Sequence, residues 1–249
     1  MTWVFVKRAG LAGAGFLALG GLTPAYAVNV QPLSLEMVSI GSNSRASVQV
    51  VNDGAAPMPV EVVLKKLEIA EDGKTTESPA SDEFLVFPPQ AVVPAGATQS
   101  FRVQWIGAPD IKKSQTYMLS VNQLPVKMKP GENGVQMVFD FGVVVNVAPT
   151  GAQSALKLVS AEAATQGQKH GASITVENPG VMYSYFSDAK LTLESGNWRK
   201  VISPGELRQL VGYGVVMPGK TRRILVPADV PGGAGKISAT LDYKPKIAK

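Results

Sequence analysis

Residues Val135 to Val147 read VQMVFDFGVVVNV. Every odd position is apolar, namely Val135, Met137, Phe139, Phe141, Val143, Val145 and Val147, while Gln136, Val138, Asp140, Gly142, Val144 and Asn146 are mixed. A side-chain period of two is that of a strand with one buried face. Thirteen residues at about 3.3 Å each extend roughly 43 Å, against about 17–20 Å for a typical strand, so part of the run is expected to overhang its own sheet. That part, Val135, Met137, Phe139 and Phe141, carries neither the lysine nor the proline that ordinarily blunts an exposed edge. An unguarded apolar edge implies a partner: ladder bonds would set its register and alternate side chains would fill its pockets. Fully burying four such side chains contributes on the order of 6–12 kcal/mol before association costs. A plainer reading lets the odd face line the domain's own core, and Val143 to Val147 fit it.

Outward from this strand the same period recurs. Arg45 to Val51 places Ala46, Val48 and Val50 on one face, and Asn52-Asp53-Gly54 turns the chain. Pro59 to Ile69 is a longer apolar strand closed by Asp72-Gly73. Pro88-Pro89 argues against a central strand there, and the Pro94-Ala95-Gly96 turn leads into alternating Phe101, Val103 and Trp105. Tyr117 to Leu124 precedes the polar loop Lys127 to Gly134, and Ala148-Pro149-Thr150-Gly151 marks a domain boundary. Beyond it, Ala172 to Glu177, Ser184 to Leu193, Leu210 to Val216, Arg222 to Val226 and Lys236 to Tyr243 read as strands. No stretch of helical period reaches useful length, so the chain reads as all-β.

The first residues form an address. Lys7 and Arg8 precede the apolar run Ala9 to Leu22, and Ala25-Tyr26-Ala27 is a small-x-small cleavage site. A transmembrane anchor is the other reading, but the run is short, holds Gly10, Gly13, Gly15, Gly20 and Gly21, and breaks at Pro24. Residues 1–27 are therefore assigned to a cleaved signal peptide, with no stable membrane anchor. About 220 residues remain, enough for two immunoglobulin-sized domains of about 100 each, 28–149 and 150–249. With no cysteine the cores stand on packing alone, which suits a bacterial envelope better than a disulfide-rich secreted context. The net charge of +5 falls to about +3 without the signal, and Lys65-Lys66 and Arg222-Arg223 read as solvated strand faces, too isolated for nucleic acid.

From Val28 to Pro149 the chain resembles the periplasmic chaperones of the chaperone–usher pilus pathway, a system used as an example in general accounts of strand donation and of sandwich architecture. The resemblance is carried by Gly41, Val48, Val50-Val51-Asn52-Asp53, Phe87-Pro88-Pro89 through Pro94-Ala95-Gly96 to Phe101-Arg102-Val103, and Tyr117 to Leu124-Pro125. Residues 151–249 match only in length and strand density. The resemblance implies two immunoglobulin-like β-sandwich domains set at an angle with a cleft between them. It further implies that Val135, Met137, Phe139 and Phe141 are lent to pilus or fimbrial subunits, which are then delivered to an outer-membrane usher. Standard members grip the client's C-terminal carboxylate with two basic cleft residues. The corresponding positions here are Glu36 and Val144, and Met118 stands where a divergent branch has an arginine. Arg102 and Lys157 are the remaining candidates for that anchor, against a reading of both as solvated strand charges. Whether the free protein pairs with itself through the same edge is open.

An enzyme finds little support: there is no cysteine, the only histidine, His170, sits in a polar run read as an exposed turn, and Gly232, Gly233 and Gly235 lack a phosphate-loop setting. No cofactor or metal is called for. The alternative to a chaperone is a non-catalytic envelope binding module, with Trp105, Trp198, Tyr183, Tyr185 and Tyr213 as a sugar-stacking platform.

Overall fold

The computed structural model describes residues 28–125, 138–166, 169–230 and 236–249. Ten strands build the first half: β1 (Val28–Gln31), β2 (Ser34–Val38), β3 (Arg45–Asn52), β4 (Met58–Ile69), β5 (Thr75–Pro79), β6 (Phe84–Phe87), β7 (Gln90–Val93), β8 (Thr98–Trp105), β9 (Gln115–Gln123) and β10 (Asp140–Ala148). One sheet has the order β1-β3-β8-β6 and the facing sheet β2-β10-β9-β4-β5, with β7 also on β4. The chain changes sheets at Pro32-Leu33, between β1 and β2.

Alternation dictates what lies between the sheets. Val48 and Val50 of β3, Phe101 and Val103 of β8, and Leu119 of β9 are fully buried. Phe84, Trp105 and Tyr117 pack with ring centroids 4.8 to 5.9 Å apart, and their tilted and edge-on contacts suit aromatic quadrupoles. Burial and the nearby Glu83 carboxylate push the Tyr117 phenol well above its ordinary range. Two turns are tied by Asn52, whose Nδ2 donates to the carbonyls of Ala56, Val93 and Pro94 at 2.8, 3.0 and 3.2 Å. Gly96, with φ +68°, donates its N–H to Asn52 O at 2.8 Å, a geometry that favours glycine.

The second half contains β11 (Lys157–Gln166), β12 (Lys169–Glu177), β13 (Ser184–Tyr185), β14 (Lys190–Ser195), β15 (Trp198–Ile202), α1 (Pro204–Val211), β16 (Val215–Val216), β17 (Thr221–Pro227) and β18 (Ser238–Asp242). Sheets β11-β12-β17 and β15-β14-β18 close over Ile174, Val176, Phe186, Leu191, Leu193 and Val226, with β13-β16 a two-stranded ribbon beside them. A third cluster joins the halves: Val38, Leu67, Ile69 and Ala148 pack with Met182, Tyr183, Tyr185, Val215 and Met217. No helix among the described residues is long and apolar enough to cross a membrane.

The second half departs from the sequence expectations in several places, beginning with β11 and β15, which were not expected as strands. The strand expected over Leu210 to Val216 is instead the end of α1 followed by β16. Ser203 caps α1 and Glu206 answers it, a reciprocal capping box with Pro204 at the first helical turn, and Gly212 at φ +68° ends the helix. Local capping thus overrides a short apolar run that looked β-like. The strand expected over Ser184 to Leu193 is broken by a single tight turn at Phe186–Asp188. His170 lies on β12, not in a turn, with Nδ1 3.1 Å from Thr165 Oγ1 across the hairpin. The Arg222-Arg223 pair is a solvated face only in part: Arg223 is exposed but ion-paired with Glu71 of the first half, and Arg222 is half-buried.

Candidate functional site

Strand β10 emerges from the core step by step. Val143, Val145 and Val147 are fully buried, Phe141 is half-buried against the same core, and Phe139 is 43% exposed. The Phe139 and Phe141 ring centroids are 6.2 Å apart, so one apolar stripe continues from interior to solvent. The strand begins at Asp140, two residues later than the alternation implies for the residues that can be compared: Val138 and Phe139 lie outside it. Phe139 still accepts a bond from Gln123 N at 2.8 Å, the last available amide of β9. The physical reason is the length of the neighbour: a strand is ladder-bonded only as far as its neighbour runs. Val135 and Met137, the loop Lys127 to Gly134, the signal segment 1–27 and Gly232, Gly233 and Gly235 lie outside the described residues.

Pairing explains which edge is free. On one side β9 accompanies β10 from Asp140↔Asn122 to Val147↔Gln115. On the other, parallel β2 covers only Val144↔Ser34 to Ala148↔Val38, starting with Val144 N donating to Leu33 O at 3.1 Å. Among the described residues, Asp140 to Val143 therefore have a strand on one edge and none on the other. Beside this slot Leu33 and Val138 are each more than half exposed. Unsatisfied ladder groups flanked by apolar side chains form a surface that an added strand can complete.

The opposite end of β10 is fixed. Asn146, fully buried, accepts from Thr116 Oγ1 at 2.7 Å and donates to Tyr185 OH at 2.9 Å, so one amide links β9, β10 and the second half. Ser114 adds two bonds, its N–H to Val181 O at 2.8 Å and its Oγ accepting from Tyr183 N at 2.6 Å. Burial pushes the phenols of Tyr183 and Tyr185 well above their ordinary range, keeping both neutral hydrogen-bonding groups. Half-buried Met118, Val144 and Tyr213 each pack against the cluster that joins the halves at this seam.

The residues weighed for a carboxylate anchor do not come together. Glu36 lines a cleft of about 460 Å³ between the halves, together with Asn43, Met182, Tyr183 and Lys246. Arg102 is exposed on β8 opposite Phe87, in the other sheet, where it lines a separate groove with Ser47 and Gln99. Lys157, on β11, is ion-paired with Glu177 at 3.2 Å. The cations that the fold does bring to the seam are Lys246 and Arg208, on Asp188 Oδ2 and Oδ1 at 2.7 and 3.1 Å and over the rings of Tyr185 and Tyr213 at 5.9 and 4.8 Å. Nothing local in the sequence marked them, since α1, the Phe186–Asp188 turn and the last residues converge only through folding. The aromatic platform is not available for stacking: Trp105, Tyr183 and Tyr185 are buried, and Trp198 packs against the second core.

Residues 29–153 match the family described as pili and flagellar-assembly chaperone, PapD N-terminal domain. Chaperone protein FimB/FhaD of Bordetella pertussis is 25% identical over 186 residues, covering 71% of this chain and 73% of its own. Among solved structures, the YadV chaperone superposes with a TM-score of 0.54 at 15% identity, covering 88% of this chain and 98% of that one. The CsuC–CsuE chaperone–tip subunit pre-assembly complex of Acinetobacter baumannii contributes a chain with TM-score 0.50 at 17% identity, covering 80% and 90%. At such identities these structures show the shared fold, two immunoglobulin-like domains.

Proposed function

From its place among the pili and flagellar-assembly chaperones, the family to which this chain belongs, we propose that it captures fibre subunits by lending them the open end of β10. The single observation that carries the mechanism is the one-sided pairing of Asp140 to Val143 beneath an apolar stripe that ends in solvent at Phe139. An incoming strand would take ladder bonds from this edge and stop where β2 begins, at Leu33 and Ser34. Phe139 and Phe141, continued by Val135 and Met137, would enter the core of a subunit that lacks a strand. Each aromatic buried in that way is worth about 1.5–3 kcal/mol before ordering costs, enough for capture that a later strand can still displace.

The complex formed by the Acinetobacter chaperone supports the class of client, a fimbrial subunit, and release to an outer-membrane usher follows from the same pathway. Domains spanning 28–149 and 150–249, a cleaved signal in 1–27, residence in the periplasm and the absence of catalysis complete the reading. A client carboxylate entering the cleft would meet Lys246 beside Glu36, with Lys246 and Arg208 both already shared with Asp188. The edge that accepts a client also leaves room for a second copy of this chain at high concentration.

The test is co-expression with the fibre subunit encoded beside it, comparing the native chain with Phe139→Ser and Phe141→Ser. Captured subunit should fall at least about ten-fold, since truncating a central buried aromatic typically costs 2 kcal/mol or more. Thermal unfolding of the free Phe139→Ser chain should hardly move. Undiminished capture by the double variant would overturn the proposal.

A further inference from the structure

Strand β4 also outruns its sheet, in the opposite direction. Pairing with β9 stops at Lys66↔Tyr117, while pairing with β5 continues to Ile69↔Thr75, so Leu67 to Ile69 and the turn after them leave the first sandwich as a two-stranded arm. The turn is tight: Ala70 N donates to Lys74 O at 2.8 Å, Gly73 N to Ala70 O at 3.0 Å, and Gly73 has φ +93°. Its tip rests on β17, which among the described residues is the outer strand of β11-β12-β17. Arg223 N donates to Glu71 O at 2.8 Å, and the Arg223 guanidinium bonds the Glu71 carboxylate. Arg222 Nη2 stands 3.3 Å from where a Cβ on Gly73 would lie, and its Nη1 donates to Val215 O at 3.0 Å. The arm thus covers a free sheet edge with a backbone bond, an ion pair and the close approach of Arg222 to Gly73.

We propose that Glu71, Arg222 and Arg223 are positioning residues: through the arm they fix the second domain, and with it Tyr185 and Met217, against the end of the open slot on β10. The geometry gives the reason. β4 is bonded to β9, and β9 to β10, so the arm is a rigid extension of the sheet that carries the slot. Where β2 begins and the slot stops, Val144 and Met118 pack against the cluster that joins the halves, which holds Tyr185 and Met217 of the second domain. A turn in the second domain would open that wall and strain the bond from Asn146 of β10 to Tyr185. The role in capture rests on the proposed function; the role in orientation does not.

Because the chain has no cysteine, Gln49→Cys and Thr240→Cys, both exposed and one in each half, give a specific spin-label pair. On that background Arg223→Glu and Glu71→Arg should each broaden the interdomain distance distribution at least about two-fold, and the double reversal should restore most of the native width, as expected of directly coupled partners. Where a reversal does not fold, Arg223→Gln should broaden it less but measurably. Native widths in Arg223→Gln and in the folded reversals would overturn the proposal, as would broadening that the double reversal leaves untouched. Capture of the co-expressed subunit should fall about five-fold in the single reversals through lost preorganisation. Broadened distances with undiminished capture would remove the role at the slot. Failure of the native chain to capture would count against the strand-lending function and leave the distances to decide orientation.

Discussion

Two strands of one sheet leave their sandwich at opposite ends, and they are finished differently. The far end of β4 places Leu67 and Ile69 against Tyr183, Tyr185 and Met217, 3% and 9% exposed. The near end of β10 places Phe141 half in the core and Phe139 in solvent, with no strand along its outer edge among the described residues. Both are apolar, and both have a single ladder neighbour. The difference is that the second domain covers the end of β4, whereas no strand among the described residues covers the outer edge of β10 at Asp140 to Val143, the edge proposed to take a client. An overlong apolar strand is therefore not by itself a binding edge; it becomes one when the molecule's own parts do not reach it.

Four substitutions would break or sharpen that contrast. At the covered end, Leu67→Ala should cost about 2–4 kcal/mol in chemical denaturation, because it leaves a cavity in the cluster that joins the halves. A loss under 1 kcal/mol would mean that the cluster packs loosely. Asn146→Ala, which strips a partner from buried Thr116 and from Tyr185, should cost about 1–3 kcal/mol by the same measurement. Ser203→Ala removes the cap of α1 and should cost about 1 kcal/mol by the same measurement. At the open end, Phe139→Ser should change the stability of the free chain by less than about 0.5 kcal/mol, as befits an exposed side chain. If Phe139→Ser destabilised the free chain as much as Leu67→Ala, the ring would belong to the chain's own core and the contrast would fail.

Much of the first half was legible. Period two at Arg45 to Val51 and Pro59 to Ile69 agrees with β3 and β4 to within a residue or so, and the alternating Phe101, Val103 and Trp105 after the Pro94-Ala95-Gly96 turn fall on β8. The reading placed Val143 to Val147 in the core, where all three odd residues are found fully buried. The second half was harder because its elements are short. Helix α1 is eight residues long, below the length at which periodicity is persuasive, yet Ser203-Pro204 with Glu206 was a cap in plain view. Strands β11 and β15 were missed for a similar reason: Lys157 to Gln166 alternates small and polar residues, and Trp198 to Ile202 carries two cations.

By itself the sequence determined that this is an all-β chain in two parts and that the run from Val135 to Val147 is apolar on one face throughout. Those are properties of local pattern, and alternation, turns and charge are local. Only the tertiary structure decided which edge of β10 stays open, that the arm of β4 is capped by Arg222 and Arg223, and that Lys246 and Arg208 meet at Asp188. Each of these depends on segments far apart in the chain arriving at one place. Period two fixes which face a side chain takes, but it carries no information about which strand lies along the edge.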